Sequence, residues 1–285
     1  MKKLILVLSL LLAACSQATQ TPSQVDQLPA GTEAPVGTQT PIPFVTVSSS
    51  STLPSGPLTL VALGDSLTQG DGDDSGRGYP GRLLEMVSAL RPGSTVTNLG
   101  QSGWNSDALI NGDQGIESQL DRAVAELQTA IAQGRGAVAL VWIGSNDLWY
   151  LYEYGGDINE EGDAQDFQHF ASNTDTILSR LRGTGAAVIV ALLEDQSKRP
   201  VALKGEAFTS VTPEELARMS VQVGRYNTII VTKAAQYDAL TVDFYNTDIF
   251  TNPATLYDDG NHPNGAGYDL ITQKWWDVLS PLLGG

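Results

Sequence analysis

The chain reads as an α/β domain of three layers, a five-stranded parallel sheet covered by helices on both faces. Three observations predict it. Leu58–Leu63, Thr95–Leu99, Ala137–Ile143, Ala186–Leu193 and Leu240–Phe244 are short, β-prone and mostly apolar without alternation, as in strands buried on both faces. Amphipathic helical stretches separate them. Strands alternating with helices make right-handed βαβ crossovers, which force the strands parallel and place helices above and below.

Taken in order, the first strand runs into Gly64-Asp65-Ser66. Glycine permits a sharp turn there, and Ser66 lands at the carboxyl end of the strand, where open α/β sheets bind ligands. Next, Tyr79, Leu83, Met86, Val87 and Leu90 share one helical face, and Ile116, Leu120, Val124, Leu127 and Ile131 another. Phe167, Phe170, Ile177, Leu178 and Leu181 form a third. Thr212-Pro213-Glu214-Glu215 is a capping box with proline at the first helical position, opening a helix through Met219, Val223, Tyr226 and Ile230. A last helix carries Tyr268, Ile271, Trp275, Val278 and Leu282.

Ahead of this domain, Met1-Lys2-Lys3 and the apolar run Leu4–Leu12 read as the start of a signal peptide, too short to span a bilayer. Leu12-Ala13-Ala14-Cys15 resembles the lipobox of bacterial lipoproteins, which implies cleavage before Cys15 and acylation of its thiol. Ser16 at the next position is compatible, by the same resemblance, with an outer-membrane or cell-surface destination. The alternative is an ordinary secretory signal with Cys15 incidental. Residues 15–57 are rich in Ser, Thr, Pro, Gln and Gly and show no apolar period. Such a composition cannot offset its ordering entropy, so a disordered tether is expected. The expected organisation is therefore a lipoprotein signal peptide over 1–14, a tether over 15–57 and a folded domain over 58–285.

Composition narrows the function. The chain has 16 Lys+Arg against 32 Asp+Glu and a single cysteine. Removing Lys2 and Lys3 with the signal leaves 14 against 32, or −18. That balance repels nucleic acid and anionic surfaces. One cysteine excludes an intrachain disulfide. A monomer without metal or cofactor is expected.

The segments just past the strands carry the chemistry. Gly64-Asp65-Ser66 stands after the first, Gly100-Gln101-Ser102-Gly103 after the second and Gly144-Ser145-Asn146-Asp147 after the third, while Asp259-Gly260-Asn261-His262-Pro263 comes beyond the fifth. Parallel strands open all these ends on one rim. Ser66 is the candidate nucleophile, His262 its base, and Asp259 the group that fixes the imidazole tautomer. The Ser66 N–H, the Gly100 N–H and the Asn146 side-chain amide are candidate oxyanion donors. Gly100 is expected to lack a side chain so that substrate can approach its N–H. Plainer roles exist for each: His262 as a helix-entry cap, Asn146 as a turn residue. Asp65 and Asp147 are expected to brace loops, and His169 to sit on the polar face of its helix.

Gly64-Asp65-Ser66-Leu67, Gly100, Gly144-x-Asn146-Asp147 and Asp259-x-x-His262-Pro263 together resemble the four blocks of the SGNH (GDSL-type) hydrolase superfamily, in the same order and across nearly the whole domain. The resemblance implies a flavodoxin-like fold and metal-free hydrolysis of carboxylic esters or thioesters, with the roles just given for Ser66, Gly100, Asn146, Asp259 and His262. The Gly-x-Ser-x-Gly elbow of the ordinary α/β-hydrolases is absent. A serine esterase forming an acyl-enzyme is expected, with a carbohydrate O-deacetylase or a lysophospholipase/thioesterase as narrower alternatives.

Two non-enzymatic alternatives are a surface-binding protein and a calcium-binding protein. Asp71–Gly76 and Asp157–Gly162 begin like EF-hand loops, but their twelfth positions are Arg82 and Gln168, where the loop needs glutamate. Trp149–Tyr154 is expected to be a packed helical turn over the rim rather than a stacking surface. The acidic stretch Gly155–Asp166 and the loop Glu194–Val211 carry no readable substrate code.

Overall fold

The computed structural model describes residues 53–155, 159–204 and 210–284. The expected signal peptide, Cys15 and the tether as far as residue 52 lie outside the described residues. Strands β1 (Leu58–Gly64), β2 (Thr95–Asn98), β3 (Gly136–Trp142), β4 (Ala187–Leu192) and β5 (Leu240–Asp243) form one sheet in the order β2-β1-β3-β4-β5. All pairings are parallel. This is the expected α/β architecture with flavodoxin-type strand order, and each strand bound falls within one residue of expectation. The strand order reverses beside β1 and β3, so the ligand-binding crevice of the fold opens at their carboxyl ends, where Ser66 and Asn146 stand.

Nine helices accompany the sheet among the described residues: α1 (Ser66–Gln69), α2 (Gly78–Leu90), α3 (Ser106–Asn111), α4 (Gln119–Ala132), α5 (Ser145–Tyr154), α6 (Glu160–Arg182), α7 (Pro200–Lys204), α8 (Pro213–Gln236) and α9 (Gly265–Leu279). Helices α2 and α9 pack on each other over one face; α4, α6 and α8 line up over the other. Between α2, α9 and the sheet sits an aromatic cluster. Tyr79 stacks on Trp275 at 5.0 Å and Trp142 on Phe244 at 4.1 Å. Across the sheet, Phe170 stacks on Tyr226 at 3.8 Å.

Helix ends reflect side-chain chemistry. Thr212 and Glu215 form the expected reciprocal capping box. Ser118 caps α4 by accepting from Asp121 N, so Ile116 falls before the helix, in a turn, 45% exposed. Leu90 and Ile131, expected on buried faces, are exposed at the last turns of α2 and α4, and Leu282 lies in a 3-10 turn beyond α9. A helical period marks a face; it does not mark where that face runs past the core.

One expectation about the loops changes, and another is filled in. Residues 53–57, placed in the tether by composition, are strapped to the domain. Leu53 N–H donates to Leu282 O (2.9 Å), and Arg91 Nη1 donates to Pro54 O and Gly56 O (2.9 Å each). The EF-hand-like start Asp71–Gly76 has its central carboxylate engaged otherwise. Asp73 is buried, accepts from Ser75, Arg77 N and Gly78 N, and forms an ion pair with Arg82. Burial works against its charge, but Arg82 and these donors outweigh it and hold the carboxyl well below the usual range. In the second stretch, Asp157 and Ile158 lie outside the described residues, and Asn159 caps α6.

Candidate active site

The turn after β1 is clamped from several directions. At Gly64 a Cβ would lie 2.2 Å from Trp142 O and 2.3 Å from Thr68 Oγ1, so only glycine fits. The Gln119 side-chain amide pairs with both Gly64 backbone groups: its Oε1 accepts from Gly64 N (2.8 Å) and its Nε2 donates to Gly64 O (2.9 Å). Asp65 caps α1 through Oδ1, which accepts from Leu67 N (3.0 Å). The Tyr268 hydroxyl lies 3.2 Å from Leu67 O and 3.0 Å from Asp71 O. Ser66 opens α1 on this turn, half-buried.

A second loop brings the imidazole. Asn264 caps α9 and donates to Ala254 O and Leu256 O; Tyr257 N–H donates to His262 O (2.8 Å). Gly72 passes so close that a Cβ there would sit 3.0 Å from His262 Cβ. His262 Nε2 lies 3.0 Å from Ser66 Oγ, and its Nδ1 lies 2.6 Å from Asp259 Oδ2. Asp259 Oδ1 accepts from Asn261 N (2.8 Å) and His262 N (2.9 Å). Partial burial opposes the Asp259 charge, but the His262 and Asn261 hydrogen bonds prevail and lower its pKa. A carboxylate on Nδ1 fixes the Nδ1–H tautomer and leaves the Nε2 lone pair for the serine proton.

The oxyanion candidates stand on the neighbouring loops; the Gly100 N–H is engaged, and so is one of the two N–H donors of the Asn146 amide. Gly100 N–H donates to Asn98 Oδ1 (2.9 Å), and Asn98 Nδ2 donates to Thr68 O (2.8 Å). Asn146, in the first turn of α5, donates from Nδ2 to Trp104 O (2.9 Å). The expected reason for Gly100 needs correcting. A Cβ there would lie 2.3 Å from Gln69 N and 2.7 Å from the Thr68 carbonyl carbon. Glycine is required because the α1 backbone packs on it, whatever substrate does.

Asp65 and Asp147 brace their loops as expected. Asp147 takes Ser106 N at 2.9 Å and the Ser106 hydroxyl, and burial pushes its pKa up to about 6. His169 is an exposed surface residue, bonded to Asp107 Oδ2 at 2.7 Å. The Asp107 hydrogen bond raises its pKa. Trp149 and Tyr152 are buried in α5, as a packed turn requires, while Tyr150 and Tyr154 are exposed.

Sequence reasoning gives no sign of Gln119, nor of a buried ion pair between Glu194 and Arg199, each 3% exposed. Arg199 Nη1 donates to Asn261 Oδ1 (2.6 Å), next to His262, and Val201 N–H donates to Gly260 O (3.1 Å). The loop after β4 thus props the histidine loop. Behind Ser66, Asp65 Oδ2, Glu194 Oε2, Arg199 Nε and the Gln196 amide are buried without a hydrogen-bond partner among the described residues. Burial is the main cause pushing Asp65 up to about 7; Leu67 N–H and Arg199 oppose it.

These buried groups have measurable consequences. Folded Asp65 keeps its proton to about pH 7, whereas the unfolded carboxyl loses it near 3.8. Its contribution to stability is therefore full at low pH and declines as pH rises from about 4 to 7. Asp65→Asn should flatten that decline in thermal melts; an unaltered slope would show the folded carboxyl to be ionised. Arg199→Ala strands Glu194 and should cost about 3–5 kcal/mol by denaturant unfolding, with slower ester turnover as the histidine loop loosens.

Comparison with known proteins agrees with the fold. The uncharacterized protein YpmR of Bacillus subtilis (strain 168) is 25% identical over 229 residues, which cover 78% of this chain and 81% of YpmR. Among solved structures, the acetylxylan esterase Axe2 of Geobacillus stearothermophilus superposes with a TM-score of 0.53 at 20% identity, covering 82% of this chain and 97% of Axe2. TesA gives 0.53 at 21% identity (79% and 99% covered), and the psychrotrophic esterase EstA of Pseudoalteromonas sp. gives 0.52 at 17% (80% and 99%). The model of the GDSL-like lipase/acylhydrolase family matches residues 62–270, and the chain belongs to that family of carboxylic ester hydrolases.

Proposed function

We propose that the protein hydrolyses carboxylic esters through a covalent acyl-enzyme on Ser66. The observation that carries this reading is the hydrogen-bond chain from Asp259 through His262 to Ser66 Oγ. Ser66 Oγ attacks the ester carbonyl while His262 Nε2 takes its proton, and Asp259 stabilises the imidazolium. The oxyanion draws on the Ser66 and Gly100 N–H groups and the Asn146 amide; Gly100 exchanges its present acceptor, Asn98 Oδ1, for it, while Asn146 keeps Trp104 O on one N–H and offers the other. Collapse expels the alcohol, which takes the proton from His262. Water then enters, gives a proton to His262, and attacks the acyl carbon; the acid leaves and Ser66 regains its proton. No step calls for a metal ion.

For the amino-terminal part, we propose cleavage after Ala14, lipidation of Cys15 and a tether that holds the hydrolase outside the cytoplasm. The motif at 12–15 and the composition of 15–52 support this.

Ser66→Ala should lower p-nitrophenyl ester turnover at least about a thousandfold in a folded protein, and a phosphonate ester should label the peptide carrying Ser66 in the wild type alone. Undiminished turnover in the variant would overturn the mechanism. Cys15→Ser should move the protein from the membrane to the soluble fraction on expression in a bacterium; continued retention would refute the anchor.

A further inference from the structure

A groove of about 660 Å³ begins one residue past Gly100 and runs over the loop from Gln101 to Ile116, with Tyr150 on its other side. Its near wall is joined to the reaction centre. Gln101 N–H donates to Gly64 O (3.1 Å), and the Trp104 carbonyl receives the Asn146 amide. The groove's lining therefore adjoins two of the proposed oxyanion donors, Gly100 through the chain and Asn146 through that hydrogen bond.

The lining specifies a chemistry. The Tyr150 ring is exposed yet pinned, its hydroxyl donating to Gly103 O (2.6 Å). The side-chain amides of Gln101 and Gln114 make no hydrogen bond among the described residues and supply neutral donors and acceptors. Gln114 also holds a costly conformation. It occupies the first central position of a tight turn, closed by Ile116 N to Asp113 O (2.8 Å), with φ 50° where Gly or Asn is the ordinary occupant. Strain of that kind concentrates at binding sites. Among the described residues, neither lysine nor arginine lines the groove, while Asp107 and Asp113 do. A phosphate-bearing alcohol, such as a phospholipid headgroup or a coenzyme A thiol, would meet carboxylates and neither lysine nor arginine in the lining. An aromatic face with flanking neutral amides suits a pyranose ring.

We infer that this groove binds the alcohol part of the substrate and that this part is a neutral saccharide. The inference rests on the esterase reading above and names its substrate class. Its test avoids catalysis, so that the two can fail separately. Ser66→Ala protein is titrated calorimetrically with an unesterified xylo-oligosaccharide, with glycerophosphocholine and with coenzyme A. Saturable binding of the oligosaccharide alone is expected, weakened at least tenfold by Tyr150→Ala or Gln114→Gly. Glycine relieves the left-handed backbone, so Gln114→Gly should raise Tm while it weakens binding, a combination that misfolding cannot give. No saturation with the oligosaccharide, equal binding of a phosphate ligand, or binding indifferent to both substitutions would overturn the inference. The Ser66→Ala turnover assay decides the esterase reading by itself.

Discussion

Between Leu63 and Gly70 the backbone must leave a buried strand, present one hydroxyl and still satisfy its own polar groups. An unpaired buried amide or carbonyl costs about 1–3 kcal/mol, so the turn needs partners that are not strands. Gln119 supplies them to Gly64, Asp65 to Leu67, Asn98 to Thr68 O, and Tyr268 to Leu67 O and Asp71 O. The molecule repeats the device at β4, where the Asn227 side chain accepts from Leu193 N (2.7 Å) and donates to Leu193 O (2.8 Å). Side-chain amides thus close the ends of β1 and β4, and the loops released there help form the rim.

Burial sorts the carboxylates around that rim. Asp65 is buried and Asp147 half-buried, and burial raises their pKa values to about 7 and about 6; Asp259 sits on an accessible loop with three donors and its pKa falls. The partly solvated carboxylate is the one that can support an imidazolium at neutral pH. Asp65 and Asp147 serve better as hydrogen-bond acceptors that hold loops in place. Neighbouring acids of one residue type thus take opposite parts because their surroundings differ.

The same physics decides how much of the chain is legible. Strands read clearly because burial on both faces removes polar alternation, and β1 to β5 stand where the apolar runs put them. Ser66, Asp259 and His262 can be found because a parallel sheet gathers its carboxyl ends, and each lies in a turn-forming segment past a strand. Contacts between distant elements leave no local mark. Nothing in the neighbours of Gln119 announces Gly64, and Arg199 meets Glu194 and Asn261 only once the chain is folded. Gly100 stands out in the sequence, but its cause does not, since the Thr68–Gln69 backbone that excludes its side chain belongs to a different, earlier turn. Residues 53–57 read as linker because their composition is linker-like; Arg91 captures them by their carbonyls, which composition does not encode.

Ser66 and His262 are 196 residues apart, and the segments that carry them follow β1 and β5, in opposite halves of the sheet. Strand pairing fixes the direction of each half but cannot set a separation to the tenth of an ångström that proton transfer demands. Helix α9 supplies the missing tie. Its cap, Asn264, anchors the loop that carries His262, and Tyr268, one turn further, reaches the carbonyls of Leu67 and Asp71 on either side of the serine turn. Gly72 then lets that turn press against His262 without an intervening side chain. One rigid helix therefore holds both partners, and any change that tilts α9 against β1 moves the imidazole and the hydroxyl relative to each other. The buried stacking of Tyr79 on Trp275 opposes such a tilt, so core packing on the far side of the sheet edge reaches directly into the geometry of the site.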